Sequence, residues 1–555
     1  VRRRDRQLPT GADDVSGRPP AEDIENSAGA TDRTPVADAD VCVVGAGPAG
    51  ALVADRLADA GHEVVVLEAG PRFDFDDRLA RQEKAIRPTY DRPDVWDSDP
   101  ERDAHSNSGE WIYPLNHARA KGVGGSTLHW QGMVMRLHEA DFNSKSERGV
   151  GTNWPIDYSD LRSYYLAAER AIGVAGGDNP FAPPREEPRP MPAFEPSYSD
   201  SLFAEACDEL EIAMHPVPNA RNSEVYDGRS SCVGYGTCQP VCPSGAKYDG
   251  TVHIESAEAK GATVIDRAAV QRFDHDADRI TAATYATPDG EHRQEADAFV
   301  LAAGGVEIPR LLLLSESDQY PDGLANSSGA VGRFFMDHLF AGMGGTLDEP
   351  TRQNHVGFLT SESHQFYDEA DNEFAPFKLE FFNYAGPSPV EMALTGDDWS
   401  DDLLERLQDG YGTHIAMGGL VEQLPREDSY IGLDESTTDN HGNPVPDIHW
   451  NVGDRALRTI ERANEIQRSI LDELGVEIEW TAGPDSTGPA YHHMGTTRMS
   501  DDPADGVVDA DCRTHDLENC WIASSSVFPT GGAMNPTLTI AALALRAADA
   551  VDAAL

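Results

Sequence analysis

The sequence predicts an α/β fold built on a parallel sheet, joined to a second, α+β domain that is built on an antiparallel sheet. A strand, a glycine-rich turn, a helix and another strand follow one another within residues 41–67. A further apolar strand, at residues 298–301, also leads into a glycine turn. Between residues 338 and 450, apolar and polar residues alternate in segments that acidic turns separate, which is typical of antiparallel strands with one buried face.

The first unit has the order strand, helix, strand. Residues 41–44 form a short buried strand, residues 45–50 a turn, and residues 51–60 have helical spacing. Gly61 ends this helix, and residues 63–67 form the second strand. Because crossover connections are right-handed, the two strands should be parallel neighbours.

The same signals predict the later elements. Short strands and turns alternate over residues 262–303, and a Pro-rich connection covers residues 179–196. The other predicted elements are a helix at 158–172, strands at 377–384 and 413–420, a long amphipathic helix at 454–474 and a C-terminal helix at 537–554.

Charge is the outlying feature of the composition. The 555 residues include 96 Asp and Glu but only 44 Lys and Arg, a net charge of −52. Nucleic acid and anionic membranes are therefore excluded as direct partners, since both are polyanions. The acids are dispersed along the chain, and only six of the basic residues are lysines. This pattern predicts a surface adapted to high salt, and hence a halophilic source.

The chain has no stretch of about 18 apolar residues, so no direct membrane insertion is expected. Arg2, Arg3 and Arg4 are followed by polar and acidic residues up to Asp40, without the apolar core of a signal peptide. By itself the polypeptide is therefore expected to be cytoplasmic.

A dinucleotide-binding motif lies in the first unit. Gly45, Gly47 and Gly50 have the G-x-G-x-x-G spacing between a strand and a helix, and Glu68 ends the second strand. The glycines let the backbone approach a pyrophosphate at the helix N-terminus, and the carboxylate accepts from a ribose hydroxyl. At this point FAD and NAD are equally compatible with the motif.

A second glycine-rich run follows at residues 119–130 and contains Gly124, Gly125, Ser126 and His129. Its consecutive backbone amides and hydroxyls could hold a phosphate or line a flavin ring. Together with several later motifs, this run resembles the glucose-methanol-choline (GMC) family of flavoprotein oxidoreductases, from about Asp40 to the C-terminus. The later motifs are residues 301–305, 331–333, 337–338, 491–499, 523–530 and 534–540.

The resemblance implies a Rossmann-like FAD-binding domain and assigns the catalytic residues. His492, three residues before the Gly of a Gly-Thr turn, matches the family's catalytic base, and Asn535 matches its second polar partner. In that assignment His492 removes the hydroxyl proton, the carbon-bound hydrogen passes as hydride to flavin N5, and Asn535 binds the same oxygen. His493 is either a substrate contact or a packing residue.

The same comparison implies further cofactor contacts. Ala523, Ser524, Asn535 and Thr537 are expected near the flavin, and Val270 near the adenine. In some relatives a histidine at the position of His129 is joined covalently to the flavin. Here His129 either forms that bond or packs against the isoalloxazine ring.

Three cysteines, Cys232, Cys238 and Cys242, have the spacing C-x5-C-x3-C. They suit an iron–sulfur cluster better than a disulfide, which would leave an odd thiol, or zinc, which would want a fourth ligand. The run resembles that of the membrane-bound sugar and polyol dehydrogenase branch of the family, which implies a [3Fe–4S] cluster. Thiols that bind nothing are the alternative.

The resemblance therefore favours an FAD-dependent dehydrogenase of a sugar, sugar acid or polyol that passes electrons to a cytochrome or quinone. Relatives of this type act with a small subunit that carries an export signal, so association with a membrane or export through such a partner is also compatible with the chain. The alternatives are an oxygen-using oxidase of the pyranose-oxidase type and a non-redox flavin lyase or binding protein.

The expected domain division is discontinuous, with an acidic, disordered leader at residues 1–38. The FAD-binding domain is assigned residues 39–150, 226–337 and 486–555. The substrate-binding domain is assigned residues 151–225 and 338–485.

Overall fold

A computed structural model describes residues 33–86, 95–351, 357–383, 385–395 and 399–555. Most of the predicted leader, residues 1–32, lies outside the described residues. Within the described residues, the Arg33 guanidinium binds the Asp266 carboxylate at 2.9 Å. The Val36 amide donates to the Gln294 side chain at 2.8 Å.

The helices of the described residues are α1 (Pro48–Ala60), α2 (Arg78–Ala85), α3 (Glu139–Phe142), α4 (Ser144–Arg148), α5 (Tyr158–Ile172), α6 (Tyr198–Glu209), α7 (Thr251–Ala259), α8 (Gly304–Leu314), α9 (Pro389–Thr395), α10 (Asp401–Gly410), α11 (Asp454–Glu473) and α12 (Thr537–Ala554). The strands are β1 (Val41–Val44), β2 (Val64–Leu67), β3 (Ser106–Asn107), β4 (His215–Pro216), β5 (Thr263–Ile265), β6 (Ala269–Asp276), β7 (Arg279–Thr287), β8 (Gly290–Glu295), β9 (Ala298–Leu301), β10 (His338–Thr346), β11 (Leu359–Ser363), β12 (Leu379–Phe382), β13 (His414–Glu422), β14 (Tyr430–Thr438), β15 (Pro444–His449), β16 (Glu477–Ala482) and β17 (Cys520–Ile522).

A parallel sheet with the strand order β17-β9-β1-β2-β5 forms the first layer. Val41 pairs with Val64 on one side and with Ala298 on the other, and all four residues of β1 are buried. This confirms the predicted α/β class. Helix α1 begins three residues before its predicted start, because Pro48 suits the first turn of a helix. It ends at Gly61, whose φ of +99° is the left-handed conformation that glycine adopts readily.

A six-stranded antiparallel sheet of order β16-β10-β13-β12-β11-β4 forms the second layer, as predicted for residues 338–450. The amphipathic helix α11 packs against β10 and β13. Its buried residues include Ile460 and Ile470, which share a core with Leu339 and Met417 of those strands. Two smaller three-stranded sheets, β6-β7-β8 and β14-β15-β3, flank these layers.

The packing divides residues 151–225 between the two parts of the molecule, whereas the predicted division gave the whole range to the substrate domain. Helix α5 has the predicted bounds, but it packs on α12, where the Tyr165 hydroxyl lies 2.8 Å from the Thr539 hydroxyl. Helix α6 instead packs on β12 and α11, and β4 pairs with β11. The apolar faces of these helices predict burial but do not identify the surface that buries them.

Among the described residues, no helix combines the length and the apolar character needed to cross a membrane.

Candidate active site

A cavity of about 510 Å³ lies between the parallel and the antiparallel sheet. On one side it is lined by the residues that follow four parallel strands, and on the other by residues of three antiparallel strands. These residues are Gly45, Glu68, Ala302 and Ala523 on the first side, and Phe340, Glu380 and Leu420 on the second. The carboxyl ends of parallel strands are where α/β proteins bind their ligands.

The glycines of the first turn have different functions. An added Cβ at Gly50 would lie 1.9 Å from the Gly45 carbonyl oxygen, and Gly45 itself has a φ of +103°. These two glycines are therefore required by the turn itself. An added Cβ at Gly47 would have no protein atom within 4 Å, and Gly47 lines the cavity. A larger side chain at this position would therefore not clash with the protein, but it would occupy part of the cavity.

Glu68 is buried at the end of β2 and lines the cavity. Its two carboxylate oxygens accept hydrogen bonds from the amides of Ala46, at 2.8 Å, and Gly70, at 2.9 Å. Burial raises the pKa of Glu68, and these two amides oppose that rise. Each oxygen keeps a lone pair that can accept from a further donor, such as a ribose hydroxyl.

The second glycine run packs directly on the first. The Gly124 amide donates to the Ala46 carbonyl at 2.9 Å, and an added Cβ at Gly125 would lie 2.8 Å from the Gly47 Cα. Gly125, Ser126 and the buried His129 line the cavity. Gly124 and Gly125 therefore join the two turns, whereas Gly50 and Gly124 lie outside the lining of the cavity.

The other predicted cofactor contacts also border this cavity. They are Val270 of β6, Ala523 and Ser524 after β17, and Asn535 and Thr537 at the start of α12. Ser524 has a second function, because its hydroxyl accepts from the Ser526 amide at 3.1 Å and begins a helical turn.

His492 is fixed in the cavity wall by a buried carboxylate and a second histidine. Asp337 accepts from the backbone amides of His492 and Tyr491, at 2.8 and 2.9 Å, and from the Tyr113 hydroxyl. The Nδ1 atoms of His492 and His338 lie 2.8 Å apart. Burial raises the pKa of Asp337 to about 7 and lowers that of His338 to about 4.

This pair of histidines determines which nitrogen of His492 can act as a base. His338 Nε2 lies 3.3 Å from the Gly531 carbonyl, so Nε2 carries the proton and donates. In the neutral ring, His338 Nδ1 is then an acceptor, and it receives the Nδ1–H of His492. Burial, and then the neighbouring His338, lowers the pKa of His492 well below its usual value. His492 is therefore neutral, with a free lone pair on Nε2.

Asn535 is oriented by a buried lysine. Lys378 Nζ donates to Asn535 Oδ1 at 2.8 Å and forms ion pairs with Glu362, at 3.2 Å, and Glu380, at 2.8 Å. Burial opposes the charge of Lys378, but the two carboxylates outweigh this effect and raise its pKa. Because the amide oxygen is held by Lys378, the NH₂ end of Asn535 is the donor for a ligand.

His493 packs beside Tyr113 and Phe335, with ring centroids 5.5 and 6.3 Å away. Its carbonyl accepts from the Ser525 hydroxyl at 2.6 Å, and burial lowers the pKa of its imidazole to about 3. Its Nε2 is buried and finds no hydrogen-bond partner among the described residues, although the side chain lines the cavity. Both interpretations of His493 are compatible with this environment.

The cysteine loop lies behind the same cavity. Cys238 and Cys242 are buried, Cys232 is half-buried, and all three thiols are free. Burial raises the pKa of Cys232, and the Arg221 guanidinium and the Gly234 backbone oppose that rise. Arg221 donates to Cys238 Sγ at 3.6 Å, and the Lys247 amide to Cys242 Sγ at 3.4 Å.

Lys247 connects this loop to the second glycine run, which forms part of the cavity wall. Its buried ammonium donates to the carbonyls of Leu128, Trp130 and Cys238 at 3.1, 2.6 and 2.7 Å. Leu128 and Trp130 flank His129, and Trp130 itself lines the cavity.

Two of these residues had no function assigned from the sequence. His338 is polar at the start of an otherwise apolar strand, and Lys378 is one of only six lysines and lies between Phe377 and Leu379. A polar residue in such a position is the signal that could have identified each of them.

The glycine cradle, the acid after β2 and the cavity that continues to paired histidines define a dinucleotide-binding redox protein. Models of GMC oxidoreductases match residues 114–340 and 425–544, and an NAD(P)-binding Rossmann-like model matches residues 43–73. The fructose dehydrogenase large subunit of Gluconobacter japonicus is 36% identical, over 92% of this chain and 97% of that protein. The 2-methyl-1,2-propanediol dehydrogenase of Mycolicibacterium austroafricanum is 31% identical, over 92% and 95%.

The chain belongs to the GMC oxidoreductase family. A formate oxidase variant from Aspergillus oryzae has the same fold, with a TM-score of 0.67 and 17% identity over 94% of this chain and 99% of that one. Membership of the family confirms the predicted FAD-dependent oxidoreductase that acts on CH–OH groups. The residues of the cradle fit FAD, since Gly47 leaves room for the cofactor and Glu68 offers lone pairs to a ribose.

Proposed function

We propose that the chain is a dehydrogenase that oxidises a CH–OH group of a sugar, sugar acid or polyol and delivers the electrons to an external acceptor. FAD, when bound, supplies the acceptor of the substrate's hydride. His492 Nε2 takes the hydroxyl proton, and the amide NH₂ of Asn535 donates to the same oxygen. The hydrogen-bonded series Gly531–His338–His492 supports this assignment, because it leaves the lone pair on the nitrogen that is not paired with His338.

The substrate class is supported by two relatives, a fructose dehydrogenase subunit and a propanediol dehydrogenase. Polar side chains that line the cavity offer partners for several hydroxyl groups. They include Gln131 and Glu380.

Anaerobic reduction of the bound flavin tests the proposal. Fructose, gluconate and 2-methyl-1,2-propanediol should be screened by stopped flow, and at least one such alcohol should bleach the flavin. His492→Ala should slow this reduction by about 10²–10⁴-fold, the usual effect of losing a general base. The exposed His117 provides the matched control, His117→Ala.

Two results would contradict the proposal. A folded, FAD-loaded His492→Ala enzyme with the wild-type rate would eliminate His492 as the base. A flavin that no alcohol reduces would indicate a lyase or a binding protein.

We further propose that Cys232, Cys238 and Cys242 bind a [3Fe–4S] cluster that conducts electrons to a cytochrome or quinone. Free thiols, two N–H donors to sulfur and the Lys247 connection to the cavity wall support this proposal. Hydrogen bonds to sulfur are among the features that tune such clusters. An external acceptor at a membrane and a small partner subunit that carries the export signal would complete the system.

Iron analysis and EPR of anaerobically purified protein test the cluster. We expect about three irons per chain, lost in Cys238→Ser but retained in Cys207→Ser, a buried cysteine of helix α6 that lies outside this loop. Cys238→Ser should keep substrate-dependent flavin reduction and lose electron transfer to a haem acceptor. Iron-free wild-type protein would favour thiols that bind nothing.

A further inference from the structure

A second polar cluster lies at the edge of the antiparallel sheet, outside the cavity. His215 of β4 and Glu362 of β11 are directly paired across the two strands. His364 follows Glu362 by two residues, which puts it on the same side of the strand. All three side chains are buried, with 3%, 0% and 2% of their surface exposed.

In this cluster one ligand atom has no partner and two others contact each other. Among the described residues, the buried His215 Nε2 has no hydrogen-bond partner, whereas His364 Nε2 and Glu362 Oε1 lie 3.1 Å apart without completing a hydrogen bond of ordinary geometry. The ligand atoms of the three residues lie within 4.8 Å of one another. A buried nitrogen without a partner, beside a poorly formed contact between two other ligand atoms, is costly unless something binds there.

We propose that His215, Glu362 and His364 bind a divalent transition-metal ion of the zinc class. Two imidazole nitrogens and one carboxylate oxygen are a frequent ligand set for zinc, with water as the fourth ligand. A small cavity of about 10 Å³ borders His364, which is room for one water molecule. His215 Nδ1 lies 3.3 Å from the Pro216 carbonyl, the kind of contact that orients ligating histidines.

The ion would act on the catalytic site through a short path. Glu362 binds the ion through one oxygen and Lys378 through the other, and Lys378 holds Asn535. The ion would therefore fix the edge strand β4 to β11 and stabilise the carboxylate that anchors Lys378.

Asn179 decides between this proposal and a simple hydrogen-bonded pair. Its amide nitrogen lies 3.2 Å from His364 Nδ1, and its oxygen accepts from the Phe181 amide at 2.8 Å. In this arrangement Nδ1 accepts, and the proton on Nε2 faces Glu362 Oε1 at 3.1 Å. Metal binding requires the opposite tautomer. Asn179→Asp would keep the contact with Phe181 and accept the Nδ1 proton, which favours that tautomer.

The test is metal analysis and zinc titration of FAD-loaded protein purified without chelator. After dialysis against EDTA, wild-type protein should bind about one Zn²⁺ per chain and melt at a higher temperature with zinc than without it. His364→Ala and His215→Gln should lose this binding, whereas Cys238→Ser should retain it. Asn179→Asp should tighten zinc binding by about 10-fold or more.

Two results would overturn the proposal. One is wild-type protein that neither contains nor takes up the ion. The other is equal zinc binding by wild type and His364→Ala. If His364→Ala does not fold, the opposite effects expected of Asn179→Asp and His215→Gln still decide the question. None of these measurements depends on substrate oxidation.

Discussion

At the scale of residues, a backbone carbonyl that does not itself contact His492 selects the tautomer of this proposed base. The Gly531 carbonyl can only accept, so it fixes the tautomer of His338 and thereby that of His492. The geometry therefore makes His338 a positioning residue, which acts through His492.

Replacement of His338 tests this interpretation. His338→Ala should slow flavin reduction by about 10–100-fold, because His492 loses the acceptor for its Nδ1 proton. His338→Gln should recover part of the rate, since its amide oxygen can also accept. If His338 were only structural, His338→Gln would not react faster than His338→Ala once both variants bind FAD equally well.

The environment of His492 also predicts how kcat/KM depends on pH on the acid side. Burial lowers the pKa of His492 well below its usual value, so the neutral base persists when the pH falls below the ordinary histidine value of about 6.5. The pH profile should therefore begin to fall only below about pH 6.5. A limb centred above that value would contradict the assignment.

At the scale of elements, different glycines of the β1–α1 turn serve the fold and the cofactor site. Gly45 and Gly50 are required because the backbone crosses itself, whereas Gly47 faces open space. The glycines of one motif are therefore needed for two different reasons: Gly45 and Gly50 for the fold of the turn, and Gly47 for the space next to it.

Two single substitutions distinguish these origins. Gly47→Val should fold with nearly unchanged thermal stability of the cofactor-free protein but bind FAD at least about 10-fold more weakly, because its side chain would occupy the cavity. Gly50→Val should be unstable even without FAD, since an added Cβ meets the Gly45 carbonyl at 1.9 Å. Thermal melts and FAD titrations measure both effects. Normal FAD affinity in Gly47→Val would contradict the placement of the cofactor.

At the scale of the whole molecule, the net charge of −52 is the dominant feature. Self-repulsion of this size opposes compact structure unless salt screens it, and the Debye length falls from about 8 Å at 0.15 M to about 3 Å at 1 M. The predicted halophilic character depends on this effect.

Thermal melts in increasing KCl test that prediction. Between about 0.15 and 2 M KCl the Tm should rise by about 5–10 °C, the shift that a few kcal/mol gives in a large chain. Sucrose at matched osmolality controls for exclusion of solutes from the protein surface. A Tm that is highest at low salt would contradict the prediction.

The sequence by itself determined the local elements and the cofactor cradle. Periodicity and glycine positions predicted β1, α1 and β2, and the bounds of α5 agree at both ends. These signals are local, because helix spacing and the need for glycine in a tight turn arise within a few residues.

Only the tertiary structure decided which buried polar groups meet. It brought His338 to His492, Lys378 to Asn535, and His215 to Glu362, pairs that are separated by about 150 residues in the chain. It also placed helix α5 against helix α12 rather than against the six-stranded antiparallel sheet. Such contacts depend on the order of the strands in the sheets and on which faces are covered. The residue pattern of one segment does not indicate which distant segment it will contact.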